Sequence, residues 1–108
     1  MPDAEKYKID IRPEAWAELS RIADMHLSLV GAASAEKITD QLLDDIELLA
    51  SQPYLGTECQ EYLLKPEQYR RLVSGVYLCF YRIIGNTVVI YHIVDGRTNY
   101  THLFQKNS

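Results

Sequence analysis

Residues 69–94, YRRLVSGVYLCFYRIIGNTVVIYHIV, are the stretch that decides the fold. They are rich in aromatic and β-branched residues, which are typical of strands. Two short interruptions, Ser74-Gly75 and Gly85-Asn86, contain residues that favour tight turns. The stretch therefore predicts three consecutive antiparallel strands. Their expected bounds are residues 69–73, 76–84 and 87–94.

The Gly85-Asn86 turn fixes the expected register of the last two strands. A two-residue hairpin there pairs Ile84 with Thr87 and places Arg82 across from Val89. Unbroken alternation then gives two mostly apolar faces. One face contains Leu78, Phe80, Arg82, Tyr91 and Ile93, and the other contains Tyr77, Cys79, Tyr81, Ile83, Ile90 and His92. We expect helices to cover one face and the C-terminal segment or a partner to cover the other.

A strand and two helices are predicted before this sheet. Residues 7–12 alternate apolar and polar side chains, which indicates a half-buried strand ended by Pro13. Proline also suits the first turn of a helix. The apolar positions of the first helix are Trp16, Leu19, Ile22 or Ala23, Leu27 and Val30, and those of the second are Ile38, Leu42, Ile46 and Leu49.

The ends of these helices predict how they are arranged. Gly31 ends the first helix, Ser34 is the expected N-cap of the second, and Gln52-Pro53 stops it. The two helices should form an antiparallel hairpin, with residues 53–68 as a connection. The sequence thus predicts an α+β fold in which an N-terminal strand and a two-helix hairpin pack on an antiparallel sheet.

Length and composition indicate a single domain over residues 1–108. The net charge is −4, 47% of residues are hydrophobic, and no apolar run approaches the roughly 18 residues of a membrane span. The first residues lack a secretory signal, so we expect a cytoplasmic protein without membrane contact. Cys59 and Cys79 fit neither a disulfide framework nor a zinc site, and no metal or other cofactor is expected.

Charge is distributed unevenly along the chain. Residues 1–64 contain five Lys/Arg and thirteen Asp/Glu, a net −8, whereas residues 65–108 contain six and two, a net +4. The basic part can attract phosphate or an acidic peptide. Arg70 and Arg71 are expected on opposite faces of a strand, so at most one of them can face any single site, and Lys65 and Lys106 would extend a basic rim. We interpret the acidic run at residues 40–47 as a solvated helix face.

The last strands and the tail carry a family resemblance. YLCFYRI at residues 77–83, VVIYHI at 88–93 and GRTNYTHLF at 96–104 resemble the RelE/ParE toxin superfamily. These proteins are the toxins of bacterial type II toxin–antitoxin modules, which stabilise plasmids. Over residues 7–104 the resemblance implies two helices on an antiparallel sheet. It also implies a growth inhibitor that is neutralised by a cognate antitoxin.

The superfamily has two branches with different targets. RelE-like toxins cleave messenger RNA on the ribosome without a metal, and ParE-like toxins poison DNA gyrase. RelE-like ribonucleases typically have an arginine after the first tyrosine of this motif, whereas Leu78 follows Tyr77 here. The resemblance therefore favours the ParE-like branch and gyrase. The alternatives are a RelE-like endoribonuclease and a non-toxic module that only binds its antitoxin.

Candidate site residues come from the last third of the chain. As a ribonuclease, the protein would use Arg82 and Arg97 to grip phosphate, with Tyr100 and His102 for stacking or proton transfer. As a binding protein, it would contact its target or antitoxin through Arg70, Arg71, Arg82, Arg97 and Tyr100. Arg82 could instead pair with an acidic helix residue, and His26 and His92 are interpreted as structural. The apolar sheet faces also allow a homodimer.

Overall fold

A computed structural model describes residues 6–105 of the chain. It confirms an α+β fold in which two helices pack on a five-stranded, mostly antiparallel sheet. Within the described residues, no helix has the length and apolar character needed to cross a membrane. The elements in chain order are β1 (Lys8–Ile11), α1 (Pro13–Leu29), α2 (Ala32–Leu48), β2 (Thr57–Glu58), β3 (Arg70–Ser74), β4 (Tyr77–Ile84), β5 (Thr87–Asp95) and a short 3-10 helix, η1 (Thr101–Phe104).

The sheet places the first strand beside the last one. Its strand order is β1-β5-β4-β3-β2, and β2 to β5 are antiparallel neighbours. β1 pairs with β5 in parallel, with Ile9 beside Val88 and Ile11 beside Ile90. The predicted sheet was antiparallel throughout, so β1 is an exception. A parallel pair needs a long connection, and here that connection contains the helix hairpin and strands β2 to β4.

The hairpin between β4 and β5 has the predicted register at its turn. Ile84 pairs with Thr87 and Arg82 pairs with Val89, which confirms the Gly85-Asn86 turn. The preceding turn is displaced by one residue from its predicted position. Ser74 pairs with Tyr77, so Gly75 and Val76 form that turn.

The predicted face assignment is wrong beyond Ile90 because β5 contains a bulge. Tyr81 pairs with Ile90 but Phe80 pairs with His92, which leaves Tyr91 as an extra residue. Ile93 therefore packs with Tyr77, Cys79 and Tyr81 on the inner face, which the helices cover. His92 lies on the outer face with Phe80, and both contact Phe104.

Helix α1 is rotated relative to the predicted apolar stripe. It buries Ala15, Glu18, Leu19 and Ile22, whereas Trp16 is 47% exposed and Leu27 and Val30 are also exposed. Small Ala15 lets the helix approach the sheet closely. Glu18 accepts a hydrogen bond from the Ile93 backbone N–H of β5, and this contact favours the observed rotation of α1 about its axis.

Helix α2 buries the predicted residues Leu42 and Ile46, Leu49 is buried directly after its end, and Ile38 is partly buried. The helix starts earlier than expected. It begins at Ala32 after Gly31, so Ser34 is not its cap. The Ser34 hydroxyl instead lies 3.0 Å from Nδ1 of His26. Nε2 of His26 lies 3.1 Å from the Tyr77 hydroxyl, so this histidine joins both helices to the sheet, in agreement with its structural interpretation.

Apolar side chains are buried on both faces of the sheet. The inner core lies between the helices and the sheet, and Leu42, Ile46, Tyr81 and Ile90 are among its members. The outer cluster consists of buried Cys59, Leu64 and Phe80, with Leu63, Tyr69, Leu78, Val94, Tyr100 and Phe104 packed against them. The C-terminal segment covers part of the second face, as predicted.

Candidate functional site

Glu18 holds the bulge of β5 from the side of α1. Its Oε1 accepts a hydrogen bond from the Ile93 backbone N–H at 2.8 Å, and its Oε2 lies 3.0 Å from Nδ1 of His92. β1 ends at Ile11, opposite Ile90, so beyond that point β5 has no β1 residue on that edge to supply an acceptor. His92 thus has a hydrogen-bond partner inside the fold, which is compatible with its structural interpretation. Sequence analysis missed Glu18, although an acidic residue beside the inward position of Leu19 was a signal.

Arg71 and Tyr100 meet on the outer face. Nη1 of Arg71 donates to the Tyr100 hydroxyl at 3.2 Å, and Nη2 pairs with Oε1 of Glu61 at 2.6 Å. The Tyr100 ring lies 5.0 Å from the ring of Phe80. Two predicted site residues are thus adjacent, but the charge of Arg71 is already balanced by Glu61. Glu61 lies in the connection, ten residues before Arg71, and nothing in the sequence indicated that the two side chains would pair.

Arg97 lies on an exposed loop and is held by its neighbour Asp95. Nε and Nη2 of Arg97 donate to the Asp95 carboxylate at 3.0 and 2.7 Å, and the Arg97 backbone N–H donates to Oδ1 at 2.9 Å. These hydrogen bonds lower the pKa of Asp95 to about 2. The Arg97 side chain is 74% exposed, so its guanidinium is oriented and still open to a partner.

Leu78 supports this loop from below. A side chain on Gly96 would place its Cβ 3.1 Å from Cγ of Leu78, which shows how closely the two residues approach. Leu78 also packs against the outer cluster. RelE-like ribonucleases typically have an arginine at this position. In this chain the position holds the apolar side chain of Leu78, which supports the loop.

Arg70 and Arg82 line one pocket at the other end of β4. Arg70 donates to the carbonyl of Gly56 at 2.6 and 3.1 Å and to that of Tyr54 at 3.2 Å. Arg82 lies over the Tyr69 ring, 5.8 Å from its centroid, and forms no ion pair within residues 6–105. The suggested ion pair with a helix residue is therefore absent there.

We call this pocket the basic pocket. Its volume is about 520 Å³. Its charged and aromatic lining residues are Tyr54, Glu58, Lys65, Tyr69, Arg70 and Arg82.

The four residues suggested for RNA cleavage do not form a single cluster. Arg82 lies near the C-terminal end of β4, and Asp95, which precedes the Arg97 loop, pairs with Tyr77 at the N-terminal end. Tyr77 and Arg82 are five positions apart along β4, which corresponds to about 16 Å. Tyr100 and exposed His102 belong to the tail after Arg97. Lys106 lies outside the described residues.

Thiols and acidic side chains offer no metal centre in the described part of the chain. Across residues 6–105, no group of three or more His, Cys, Asp or Glu side chains could hold a metal ion. Asp45 accepts a hydrogen bond from Ser74 at 2.6 Å. Burial raises the pKa of Cys59 to about 11 and that of Cys79 to about 12, so both thiols stay protonated at neutral pH.

A second pocket lies at the free edge of β1. It has a volume of about 530 Å³ and is lined by Ile9, Ile11, Trp16, Leu43 and Ile46, with Asp10 and Glu47 also in its wall. We call it the edge groove. Because β1 has a partner on one side only, its other edge has backbone groups available for pairing.

Comparison with known protein families gives one clear match. The family model described as "ParE toxin of type II toxin-antitoxin system, parDE" matches residues 9–100. Toxin ParE1 of Mycobacterium tuberculosis, from strains CDC 1551 and H37Rv, is 32% identical over 88 residues. That alignment covers 81% of this chain and 87% of the relative.

Two solved toxin–antitoxin structures share the fold. The chromosomal ParDE system from P. aeruginosa matches with a TM-score of 0.69 and 18% identity, over 83% of this chain and 96% of that one. The RelBE2 complex from Mycobacterium tuberculosis matches with a TM-score of 0.63 and 16% identity, over 88% of this chain and 97% of that one. Both likenesses support the two-helix, mostly antiparallel architecture.

Proposed function

This chain belongs to the ParE toxin family of type II toxin–antitoxin systems, and we propose that it inhibits growth by binding DNA gyrase rather than by cleaving RNA. The observation that carries the proposal is the apolar contact of Leu78 beneath the Arg97 loop. Because Leu78 is apolar, this position supplies no second cation beside Arg97. The choice of gyrase as the target rests on the resemblance to the ParE-like branch.

The placement of the candidate residues supports binding over cleavage. Metal-independent RNA cleavage needs a base, an acid and a phosphate-stabilising cation around one phosphate. Here Arg82 lies near the C-terminal end of β4, the loop of Arg97 lies beside the N-terminal end of that strand, and Arg71 is already paired with Glu61. Arg97, in contrast, is exposed and oriented by Asp95, which suits contact with a protein surface.

Induced expression in bacteria that lack the antitoxin tests this proposal. We expect the wild type to arrest growth and induce a DNA-damage response, and Arg97→Ala to weaken both effects by tenfold or more. Arg12→Ala is the matched control, because Arg12 is also exposed and lies near its own aspartate, with 3.9 Å between Nη1 and Oδ2 of Asp10. Cleavage complexes of purified gyrase provide the direct measurement.

The other outcomes identify the alternatives. Growth arrest with intact DNA and transcripts cut at codon positions would contradict gyrase binding and indicate a RelE-like ribonuclease. Harmless expression of a folded wild type would indicate a non-toxic antitoxin-binding module. Equal loss of toxicity in Arg97→Ala and Arg12→Ala would remove the specific role of Arg97.

We also propose that a segment of the cognate antitoxin occupies the edge groove. An extended segment can add a strand to β1, with alternate apolar side chains entering the groove beside Trp16. Asp10 and Glu47 would face basic residues of that segment. The supporting observations are the open edge of β1 and the 47% exposure of Trp16.

Trp16 provides both the mutation and the optical probe for this interaction. It is the only tryptophan in the sequence, so a blue shift of its emission on adding antitoxin reports that it becomes buried. Because tryptophan is a common interface anchor, we expect Trp16→Ala to raise the dissociation constant at least tenfold. Tyr62→Ala, at a side chain that is 90% exposed, is the control. Unchanged emission and affinity would place the antitoxin elsewhere.

A further inference from the structure

The basic pocket is separate from the Arg97 loop and from the edge groove, although it includes Arg70 and Arg82, two residues expected from the sequence to contact a target or antitoxin. It lies where β3 begins and β4 ends, whereas the Arg97 loop is next to the start of β4. Three cations line it, Lys65, Arg70 and Arg82, against one lining carboxylate, that of Glu58. All three come from the basic part of the chain, residues 65–108, which has a net charge of +4. Such a concentration of positive charge in a concave site attracts anions.

One wall of the basic pocket is held rigid by buried contacts. The Tyr81 hydroxyl donates to the Pro53 carbonyl at 2.8 Å and accepts from the Gly56 N–H at 2.9 Å. The Gly56 carbonyl in turn accepts two hydrogen bonds from Arg70. Arg70 is therefore held in place before any ligand arrives, which lowers the entropy cost of binding.

The cations retain capacity for a ligand. Arg82 forms no ion pair within residues 6–105, and Lys65 is exposed. Oε1 of Glu58 lies 3.5 Å from Nη1 of Arg70, but the Glu58 side chain is 74% exposed. An exposed pair of this kind is weak and can yield to a more highly charged anion. A phosphate group is such an anion, and the planar guanidinium of Arg82 matches its geometry.

Aromatic rings next to the cations narrow the class of ligand. Tyr54 is 65% exposed and has Arg70 over its ring, 5.2 Å from the centroid. Exposed tyrosine rings and guanidinium planes are the surfaces on which nucleobases stack. The pocket volume of about 520 Å³ lies within the range of small-ligand sites. A carboxylate of an acidic peptide would pair with the cations but has no aromatic base to stack on the Tyr54 ring.

We propose that the basic pocket binds a nucleotide, with the phosphate between Lys65 and Arg82 and the base against Tyr54. The ligand chemistry is a phosphate ester that carries an aromatic base. A free nucleotide and a single-stranded nucleic acid both present it. This proposal does not depend on the cellular target of the toxin.

Calorimetric titration of the full chain with AMP tests the site. We expect AMP to bind and Arg82→Gln to weaken it about tenfold, the effect of losing one hydrogen bond between charged groups. Tyr54→Ala should weaken AMP about fivefold and leave binding of ribose 5-phosphate unchanged, because only AMP has a base to stack. Arg12→Gln, at an exposed arginine on the opposite edge of the sheet, is the control.

Several results would overturn the proposal. They are the absence of binding at millimolar AMP, equal weakening by Arg12→Gln and Arg82→Gln, and a poly-glutamate peptide that binds as tightly as AMP. If AMP binds as expected, the strand (dT)6 identifies the source. Tighter binding of the strand indicates nucleic acid, and equal or weaker binding indicates a free nucleotide. Thermal unfolding of each variant verifies that it is folded.

Discussion

At the scale of single residues, Gly56 shows how tightly the connection is bound to the sheet. A Cβ there would lie 2.5 Å from the Arg71 carbonyl oxygen and 2.6 Å from the Tyr81 hydroxyl. Neither atom can move freely, because one is backbone and the other is held by two hydrogen bonds. Glycine at this position lets a loop lie directly against a buried tyrosine.

We therefore predict that Gly56→Ala lowers the free energy of unfolding by about 2–3 kcal/mol, the usual cost of overpacking. Urea denaturation measures it. Gly85→Asn is the comparison, because Gly85 has φ +59° and open space around it, and asparagine tolerates that conformation. That change should cost less than about 1 kcal/mol. Equal losses would mean that the close contact at Gly56 is unimportant.

At the scale of elements, the bulge in β5 depends on one side chain of α1. Glu18→Ala leaves the Ile93 N–H without its acceptor and His92 without its partner. We expect a loss of about 2–3 kcal/mol in the free energy of unfolding, the cost of stranding buried polar groups. Hydrogen exchange of the Ile93 amide should accelerate in the same variant.

Two further variants show whether that loss comes from the hydrogen bonds. Glu18→Gln keeps a carbonyl acceptor for Ile93, so it should recover part of the stability. Glu36→Ala removes an exposed glutamate from α2 and should change stability by less than about 0.5 kcal/mol. If Glu18→Ala behaved like Glu36→Ala, the bulge would not need its glutamate.

The same bulge marks the limit of what the sequence predicts about the fold. Gly85-Asn86 carries a local turn signal, and its register is correct. Tyr91 carries no comparable signal. The residues around it are mostly apolar on both faces, so their alternation does not show which face each residue occupies. Tertiary contacts such as the hydrogen bond between Glu18 and Ile93, 75 residues apart, distinguish the two arrangements.

The candidate site was predictable to a similar extent. The exposed loop around Arg97 follows from its position after a strand, next to Asp95-Gly96. The balance of Arg71 by Glu61 and the distance between Arg82 and Arg97 depend on tertiary packing. The exposure of Trp16 also depends on packing, since the helical spacing alone placed it in the core.

At the scale of the whole molecule, the sheet is stabilised from both faces. The ring of Phe104 in η1 packs against three other rings, with centroid distances of 5.0 to 5.1 Å. These rings belong to Tyr69, Phe80 and His92. We predict that Phe104→Ala lowers the free energy of unfolding by about 2–3 kcal/mol, because it removes the aromatic cover of the outer cluster. Tyr62→Ala, at an exposed ring, should change it by less than about 0.5 kcal/mol. Similar values for both would mean that the tail adds little to stability.

The pairing of β1 with β5 has a consequence for the order of events during synthesis. Lys8–Ile11 is synthesised long before its partner Thr87–Asp95. At about 5–20 residues per second, the roughly 80 residues between them take about 4–16 s. Until then the helix hairpin has no complete sheet to cover. A ribosome that stops before the last strand therefore releases no folded toxin.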